Sequence, residues 1–582
     1  MMQKPLSKEE QKWVEGTLEA MSLRELIGQT MQDHAGRLPF KGDDEASLRK
    51  YLEQYPVGSF FIGGEVIQKA AGKAEDYRDW AGMLQGISRF PLLFSGDLEF
   101  GAGSAVRSLT AFPPLLALAA ADDEALAYEY GKYTALEGRA AGFTWALAPG
   151  TDLLLNWMNP VITTRCLGDE AGRAARLAAA VMRGMQEHGL AACAKHFPGD
   201  GVDYRDQHII TTVNSLSEED WFSTYGQVAG EMIDQGVMSY MTGHIALPWI
   251  EDGAGGAGSK PIPATVSERI TTGLLRERLG FDGVVLSDAL DMGGFLSWGD
   301  YTQRIIDCFN CGTDVLLWPG VRYFTVMEQA VEDGRVSRER LKASVRRILE
   351  LKARLGVHAA HAGGEDGRAL PLLDDKLLPS LDRQVRQFSR ELAGRCITLV
   401  RNRTGQLPLN PQKVRRVLVI MLNKVTEGRR YERMNLFVEQ LKARGLAVDI
   451  LDEFEPLTTL RQWELSGVRW DAAFAPYFLP LHGMMNTARP VGEAAKAIWA
   501  MQHAETVRPI GISFATPYLL QDIPFLNTLV NAYSLHEDTV ELTVKALFGE
   551  IPFQGSSPVK AEIQEGDYGS GRLSSKGRDS RG

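Results

Sequence analysis

The sequence predicts an α/β fold, a (β/α)8 barrel followed by a smaller α/β sandwich domain. Three observations carry that expectation. Short β-branched or apolar runs alternate with longer helical patterns through the first 355 residues. That stretch exceeds the roughly 250 residues typical of a parallel barrel. A second strand-and-helix alternation begins after a small, polar break containing Gly and Pro.

In the first domain, 1–355, strands are expected at Val57 to Ile62, Pro91 to Phe94, Thr144 to Leu147, Ala191 to Ala194, Val237 to Met241, Val284 to Leu286 and Val315 to Leu317. Helical patterns lie between many of them, such as Ala171 to His188 and Glu218 to Gln235. A charged amphipathic helix, Ser337 to Leu355, closes the region. No short repeat argues for a solenoid. Residues 356–380, including HAAHAGGEDGRALP, read as a linker. The second domain, 381–555, has strand runs at Val417 to Met421, Val448 to Leu451, Ala472 to Ala475, Ile510 to Phe514 and Thr528 to Val530. Its helix Glu432 to Arg444 ends at Gly445, a C-cap signal. Residues 556–582 are rich in Ser, Gly and charge and read as a disordered tail.

Composition excludes several function classes. The chain has 582 residues, 44% hydrophobic and 24% charged, with net charge −11 from 63 basic and 74 acidic residues. No basic run supplies a nucleic-acid footprint. The densest apolar stretch, Leu115 to Ala121, is far shorter than the roughly 20 residues of a membrane span. The charged N-terminus lacks the apolar core of a signal peptide, so a cytoplasmic protein is expected. Five cysteines (Cys166, Cys193, Cys308, Cys311 and Cys396) suit free thiols in a reducing compartment. Cys308-x-x-Cys311 has no second Cys pair and reads as buried thiols rather than a metal or redox motif. No heptad seam argues for a coiled coil, and oligomeric state is not readable.

The most informative stretch is Ala194-Lys195-His196-Phe197-Pro198-Gly199-Asp200-Gly201, followed by Asp206-Gln207-His208. A strand feeds into it, and in a parallel barrel such strand ends form the active face. Lys195 and His196 stand there as hydrogen-bond donors. Asp206 and His208, two apart, can face the same way in an extended loop. A carboxylate beside an imidazole fixes its tautomer and stabilises its cation, as a general acid/base requires. A glycine-rich loop with merely solvated charges is the other reading. The second stretch is an apolar strand ending at Ser287, with Asp288 just beyond. A carboxylate there can attack a sugar anomeric carbon, or it can simply cap a helix. Asp97-Leu98-Glu99 and Asn159 to Arg165 place further polar groups after apolar runs. His244 can line a pocket or be a satisfied structural histidine. Trp145, Trp157, Trp249 and Trp318 are the aromatic candidates to stack on a sugar.

Together these residues resemble glycoside hydrolase family 3. Lys195 to Gly199 with Asp206-x-His208 is similar to that family's KHFPGHG…DSH element, and Phe281 to Asp288, with Met292, is similar to its nucleophile strand. Asn159-Pro160 to Arg165, Asp97-x-Glu99 and Met21 to Gln29 match in the same order. In the second domain, Ser513-Phe514 to Pro517-Tyr518 and Ala532 to Ser534 resemble the domain that follows the barrel in many members. The resemblance implies a retaining glycosidase needing no cofactor or metal, with a small carbohydrate as its partner. Asp288 would be the nucleophile, and His208, assisted by Asp206, the acid/base. Asp97, Arg165, Lys195 and His196 match sugar-binding positions, with Arg107 carried over across a variable spacing. The Asp-x-His dyad marks the β-N-acetylglucosaminidase branch, so terminal N-acetylglucosamine is the expected sugar.

Two departures stand out. Asp200 replaces the branch's usual His, and Gln207 its usual Ser. Asp200 would add negative charge near the dyad. Alternative readings remain. A neutral imidazole does not repel phosphate as a carboxylate does, so a phosphorylase on the same fold is the runner-up, beside a β-glucosidase. His196, Asp200, Asp206 and His208 can also be read as a metal cluster. A non-catalytic carbohydrate-binding protein would need the hydroxyl-binding set but no nucleophile opposite an acid.

Overall fold

A computed structural model describes residues 5–38, 45–63, 73–251, 260–359, 378–422, 428–452, 455–479, 484, 487, 489–490, 493–504 and 506–562. Most of the expected linker and most of the expected tail (360–377 and 563–582) lie outside the described residues. The chain divides into two units. The first comprises Met1–Phe112, Glu124–Leu153 and Ala174–Arg386.

The strands of its eight-stranded sheet are β1 (Met31–His34), β2 (Ser59–Phe61), β3 (Leu93–Gly96), β4 (Trp145–Ala146), β5 (Ala191–Phe197), β6 (Ser239–Thr242), β7 (Val284–Ser287) and β8 (Leu316–Leu317). All pair in parallel in the order β8-β1-β2-β3-β4-β5-β6-β7. A bridge between Leu286 and Val315 nearly closes the ring. Ser287 N donates to Val315 O at 3.0 Å, and Leu317 N to Ser287 Oγ at 3.0 Å. This is the expected (β/α)8 architecture.

The closure has a charged buttress. Asp314, just before β8, is fully buried. Its Oδ2 accepts from Val285 N at 3.0 Å and pairs with Arg276 at 2.5 Å, while Oδ1 faces Arg347 at 3.0 Å. Burial alone would raise its proton affinity. Arg276, Arg347 and Arg340 outweigh that and hold the carboxyl below its ordinary value. A buried carboxylate so paired costs little while intact and several kcal/mol when one partner is removed.

Two differences from the sequence expectation have physical reasons. β1 was not among the expected strands, because Gln32 and Asp33 interrupt its apolar pattern although both are buried. The single helix expected over Glu218 to Gln235 is two, Glu218–Phe222 and Tyr225–Asp234. The break falls at Ser223 and Thr224, and Ser223 Oγ bonds back to Asp220 O at 3.0 Å. The closing helix is Arg338–Arg354, capped by Ser337, whose Oγ accepts from Arg340 N.

The second unit comprises Pro113–Asp123, Leu154–Arg173 and Gln387–Gly582. Its six-stranded sheet contains β9 (Thr398–Asn402), β10 (Arg416–Ile420), β11 (Ala447–Leu451), β12 (Ala472–Tyr477), β13 (Pro509–Ser513) and β14 (Thr528–Asn531), ordered β9-β14-β13-β12-β10-β11. Only the edge strand β9, absent from the expected set, runs antiparallel. Val417, Val419, Phe474, Ile510 and Ile512 pack in one core with Phe437 and Val544, while Leu418, Ile420, Ala473 and Leu529 pack in another with Leu460 and Ala497. Alternate residues of β10 thus serve opposite layers, as a sandwich requires. A third core joins Leu116, Leu154, Val161 and Ile162 to Cys396, Tyr518 and Tyr533. Two segments that precede residue 355 therefore belong to this unit, so its membership is not a linear stretch. All five cysteines are free and buried, including Cys308 and Cys311, whose thiols burial pushes up.

Lys352 in the closing barrel helix is fully buried and donates to Gln29 Oε1 at 2.6 Å. Burial pulls its pKa down to about 7. The unfolded chain keeps that proton up to about pH 10. Between these values the unfolded state binds more protons, so this group makes stability rise with pH. Lys352→Met therefore gains most on the natural protein at or below about pH 7, by on the order of 2–4 kcal/mol less the cost of an unpaired Gln29. That gain shrinks towards pH 9. Thermal unfolding of both proteins across this range checks it; a difference that does not change with pH would refute it.

Candidate active site

The strand C-termini converge on one face, and the loops leaving them carry the candidate residues. The pairing of β5 with β6 shifts register between Ala194 and Phe197. Successive side chains of a regular strand point to opposite faces. This irregularity re-aims the intervening pair, as bulges beside active sites do. Lys195 Nζ lies 2.6 Å from Glu99 Oε1 and 2.8 Å from Asp97 Oδ1, both on the loop after β3. His196 Nδ1 lies 2.7 Å from Asp152 Oδ2, and its Nε2 is 3.9 Å from Asp288 Oδ2. Since Asp152 can only accept, Nδ1 carries the proton of that bond. Asp152 Oδ1 also accepts from His196 N at 3.2 Å and Asp200 N at 2.7 Å.

Asp288 follows β7. Its N–H donates to Thr242 O at 2.9 Å, and its Oδ1 accepts from Ala289 N at 2.8 Å. Burial would raise its proton affinity, but His196, His244 and His208 more than offset that, so the carboxyl titrates below its ordinary value. Burial works the other way on His196. There Asp152 and Asp288 prevail and hold the imidazole above its ordinary value. The two groups thus favour each other's charged forms, imidazolium on one side and carboxylate on the other.

His208 Nδ1 lies 2.6 Å from Asp206 Oδ1, which also accepts from His208 N at 2.8 Å. The Asp206 side chain is fully buried, and that of His208 is 26% exposed. Their loop is sewn to the one leaving β7. Gly293 N donates to His208 O at 2.8 Å, Gly294 N to Gln207 O at 3.2 Å, and Thr211 Oγ1 to Gly294 O at 2.8 Å. At residue 293 a Cβ would stand 2.2 Å from Ile209 O, so only glycine permits that approach. Gly199 has φ +117, and a Cβ there would meet the Tyr225 ring at 2.1 Å.

Lys195 and His196 thus lie at the C-terminal end of β5, and Asp97, Asp206, His208 and Asp288 on loops that follow barrel strands. Arg107 is exposed, its charge acts on Tyr77, and among the described residues it takes no hydrogen bond to this set. Arg165 falls in Leu154–Arg173, which groups with the second unit, and its Nη1 donates to Val161 O at 3.3 Å. His244 is the satisfied structural histidine of the two readings, with Nδ1 3.0 Å from Thr265 Oγ1 and Nε2 2.9 Å from Ala289 O. Burial lowers its proton affinity. Trp145 is core, with Nε1 donating to Ser239 Oγ at 2.7 Å. Trp249 packs on Trp221 and Phe222, Trp318 on His34 and Phe61, and Trp157 beneath Arg489. The residues of the would-be metal cluster take other partners: His196 turns to Asp152, His208 to Asp206, and Asp200 Oδ2 accepts from Gln207 Nε2 at 3.2 Å. Sequence reasoning missed Asp152. Its signal was a carboxylate shortly after the run Thr144 to Leu147, the position that singled out Asp288.

Residues 22–351 match the N-terminal domain of glycosyl hydrolase family 3. The chain belongs to that family. This family 3 protein is 33% identical over 571 residues to a β-N-acetylglucosaminidase/β-glucosidase of Cellulomonas fimi, covering 94% of this chain and 95% of the relative. Among solved structures, a β-glucoside phosphorylase, BglX, superposes with TM-score 0.82 at 28% identity, covering 96% of this chain and 97% of that one. A family 3 β-N-acetylglucosaminidase from Paenibacillus sp. superposes with TM-score 0.77 at 26% identity, covering 94% and 100%. As a family 3 member the protein is a glycosidase, as the motifs implied. Among the described residues no helix is long and apolar enough to cross a membrane.

Asp152→Asn removes the charge that most favours the His196 cation. The cation in turn is the largest influence keeping Asp288 ionised against burial. The variant should therefore raise the Asp288 pKa and move the acid limb of the kcat/KM profile to higher pH, with about a tenfold loss at pH 5. Initial rates from pH 4 to 8 check this, and an unmoved acid limb would contradict it.

Proposed function

We propose that this family 3 protein is a retaining, exo-acting glycosidase that removes terminal β-linked N-acetylglucosamine from small carbohydrates. One observation carries the reading. A buried carboxylate held in its ionised form, Asp288, occupies the loop hydrogen-bonded to the one bearing His208, whose imidazole is fixed at 2.6 Å by buried Asp206. The names of the Cellulomonas and Paenibacillus relatives support the sugar.

In this mechanism Asp288 attacks the anomeric carbon as the bond to the leaving oxygen breaks. His208 gives that oxygen its Nε2 proton, while Asp206 steadies the imidazole through Nδ1. The neutral imidazole then takes a proton from water, which attacks the glycosyl-enzyme and releases Asp288 with the original anomeric configuration. Every proton and electron pair comes from these side chains, the sugar and water. Lys195, His196 and Asp97 bind sugar hydroxyls. Lys195 shares its charge between Glu99 and Asp97, so it is not an unpaired buried cation. Five buried free thiols support a reducing, cytoplasmic setting.

Phosphorolysis is the second reading. The acid/base is an imidazole, and the structural neighbour BglX is named a β-glucoside phosphorylase. Phosphate would then replace water in the second step and yield a sugar 1-phosphate.

Hydrolysis of 4-nitrophenyl β-N-acetylglucosaminide should fall by about three orders of magnitude or more in Asp288→Ala. A loss of only a few-fold would remove the nucleophile role. A panel adding glucoside and xyloside, run with and without phosphate, tests the sugar and the acceptor. Free N-acetylglucosamine at a rate indifferent to phosphate is expected. Preference for glucoside would overturn the sugar, and sugar 1-phosphate the acceptor.

A further inference from the structure

The two places where the sequence departs from the family motif meet in space. Gln207 Nε2 donates to Asp200 Oδ2 at 3.2 Å, and both residues are buried. The amide orientation follows from its other end. His244 N, which can only donate, lies 3.0 Å from Gln207 Oε1, so that atom is the carbonyl oxygen and the NH2 faces Asp200. Asp200 Oδ1 accepts from Gly201 N at 2.6 Å. The Gln207 backbone oxygen accepts from Gly294 N. One residue thus ties together the loops leaving β5, β6 and β7. His244 extends the tie, since its Nε2 donates to Ala289 O, next to Asp288. Gln207 also immediately precedes His208 in the chain.

We propose that Gln207, oriented by Asp200, is the positioning residue that sets the imidazole of His208 against Asp288, so that proton delivery to the leaving oxygen depends on this pair. The inference rests on the acid/base role proposed above for His208. Asp206 fixes the plane and tautomer of the imidazole but lies on the same loop, so it cannot fix where that loop stands relative to β7. The cross-loop bonds of Gln207, beside those of His208 O and Thr211, do that, and displacements near 1 Å in such a group cost large factors in rate. Gln207 is fully buried and acts through its neighbour.

The polarity of the pair supplies the test. Position 200 accepts and position 207 donates. Asp200→Asn sets two NH2 groups against each other or gives up the Gly201 N–H, and Gln207→Glu sets two carboxylates against each other. The double variant Asp200→Asn/Gln207→Glu restores the bond between the two positions with its direction reversed, and leaves the bonds from His244 N and Gly201 N as they are. The new amide at position 200 then donates through its NH2 to one carboxylate oxygen at position 207, while the other oxygen still accepts from His244 N.

The measurement is kcat/KM on aryl glycosides of the preferred sugar, with leaving groups from phenol to 2,4-dinitrophenol. Folding is followed by thermal unfolding. A poor leaving group needs the proton; 2,4-dinitrophenolate departs without it. Each single variant should lose about 10- to 100-fold on the phenyl glycoside and no more than about 3-fold on the dinitrophenyl one. The double variant should recover to within about 5-fold on the phenyl glycoside. Equal losses on both substrates, or no recovery in the double variant, would overturn the proposal. Should Gln207→Glu fail to fold, Gln207→Met carries the same selective expectation. His208→Ala separates the two levels. If it shows the selective loss while the position-207 variants do not, the positioning role alone fails. If His208→Ala loses both substrates equally, the acid/base assignment fails and this inference with it.

Discussion

The closure of the barrel at β7 and β8 is the constraint on which the site depends. Asp288 stands directly after β7, and its place follows from how that strand is held. One side is fixed by pairing with β6, whose Thr242 accepts the Asp288 N–H. The other is fixed by Val315 and Leu317, which bond to Ser287. Beneath, Asp314 takes the Val285 N–H and brings Arg276 and Arg347 with it. A strand paired on both sides cannot slip register without breaking both ladders. The carboxylate at its end is accordingly held in place by the ladder, and three histidines lie within its electrostatic reach.

The same face shows how a barrel carries buried charge. Lys195 is nearly inaccessible, yet it meets two carboxylates. His196 is equally enclosed and sits between Asp152 and Asp288. Each ion is balanced before any sugar enters, so binding need not bear the cost of stripping water from lone charges. It also separates tasks by environment. Burial lowers the proton affinity of His244, the carboxylates beside His196 raise its own, and His208 remains partly open to solvent. Three imidazoles within electrostatic reach of one carboxylate thereby stand in three different environments.

Much of this could be read from the chain, and the failures are instructive. Strands with apolar runs, such as Val284 to Leu286, announced themselves, and so did the carboxylates just past them. β1 did not, because a barrel strand may hide Gln32 and Asp33 in its interior while looking polar. Asp152 went unseen because its partner His196 is remote in sequence, and nothing local links them. The meeting of Asp200 with Gln207 was equally beyond reach: both were noticed as exceptions, but only folding shows that one answers the other. The packing of the segment before and after Arg165 with Cys396 and Tyr533 was also out of reach, since sequence order places those neighbours far away.

Leu116, Val161 and Ile162 leave the ribosome long before the residues that shelter them, Cys396, Tyr518, Tyr533 and Val559. Until those emerge, greasy side chains wait uncovered in the midst of a growing polypeptide. Such non-local closure slows maturation and invites chaperone capture. It also means that a truncated gene product stopping after the barrel would leave them permanently uncovered, and so would be sticky rather than minimal.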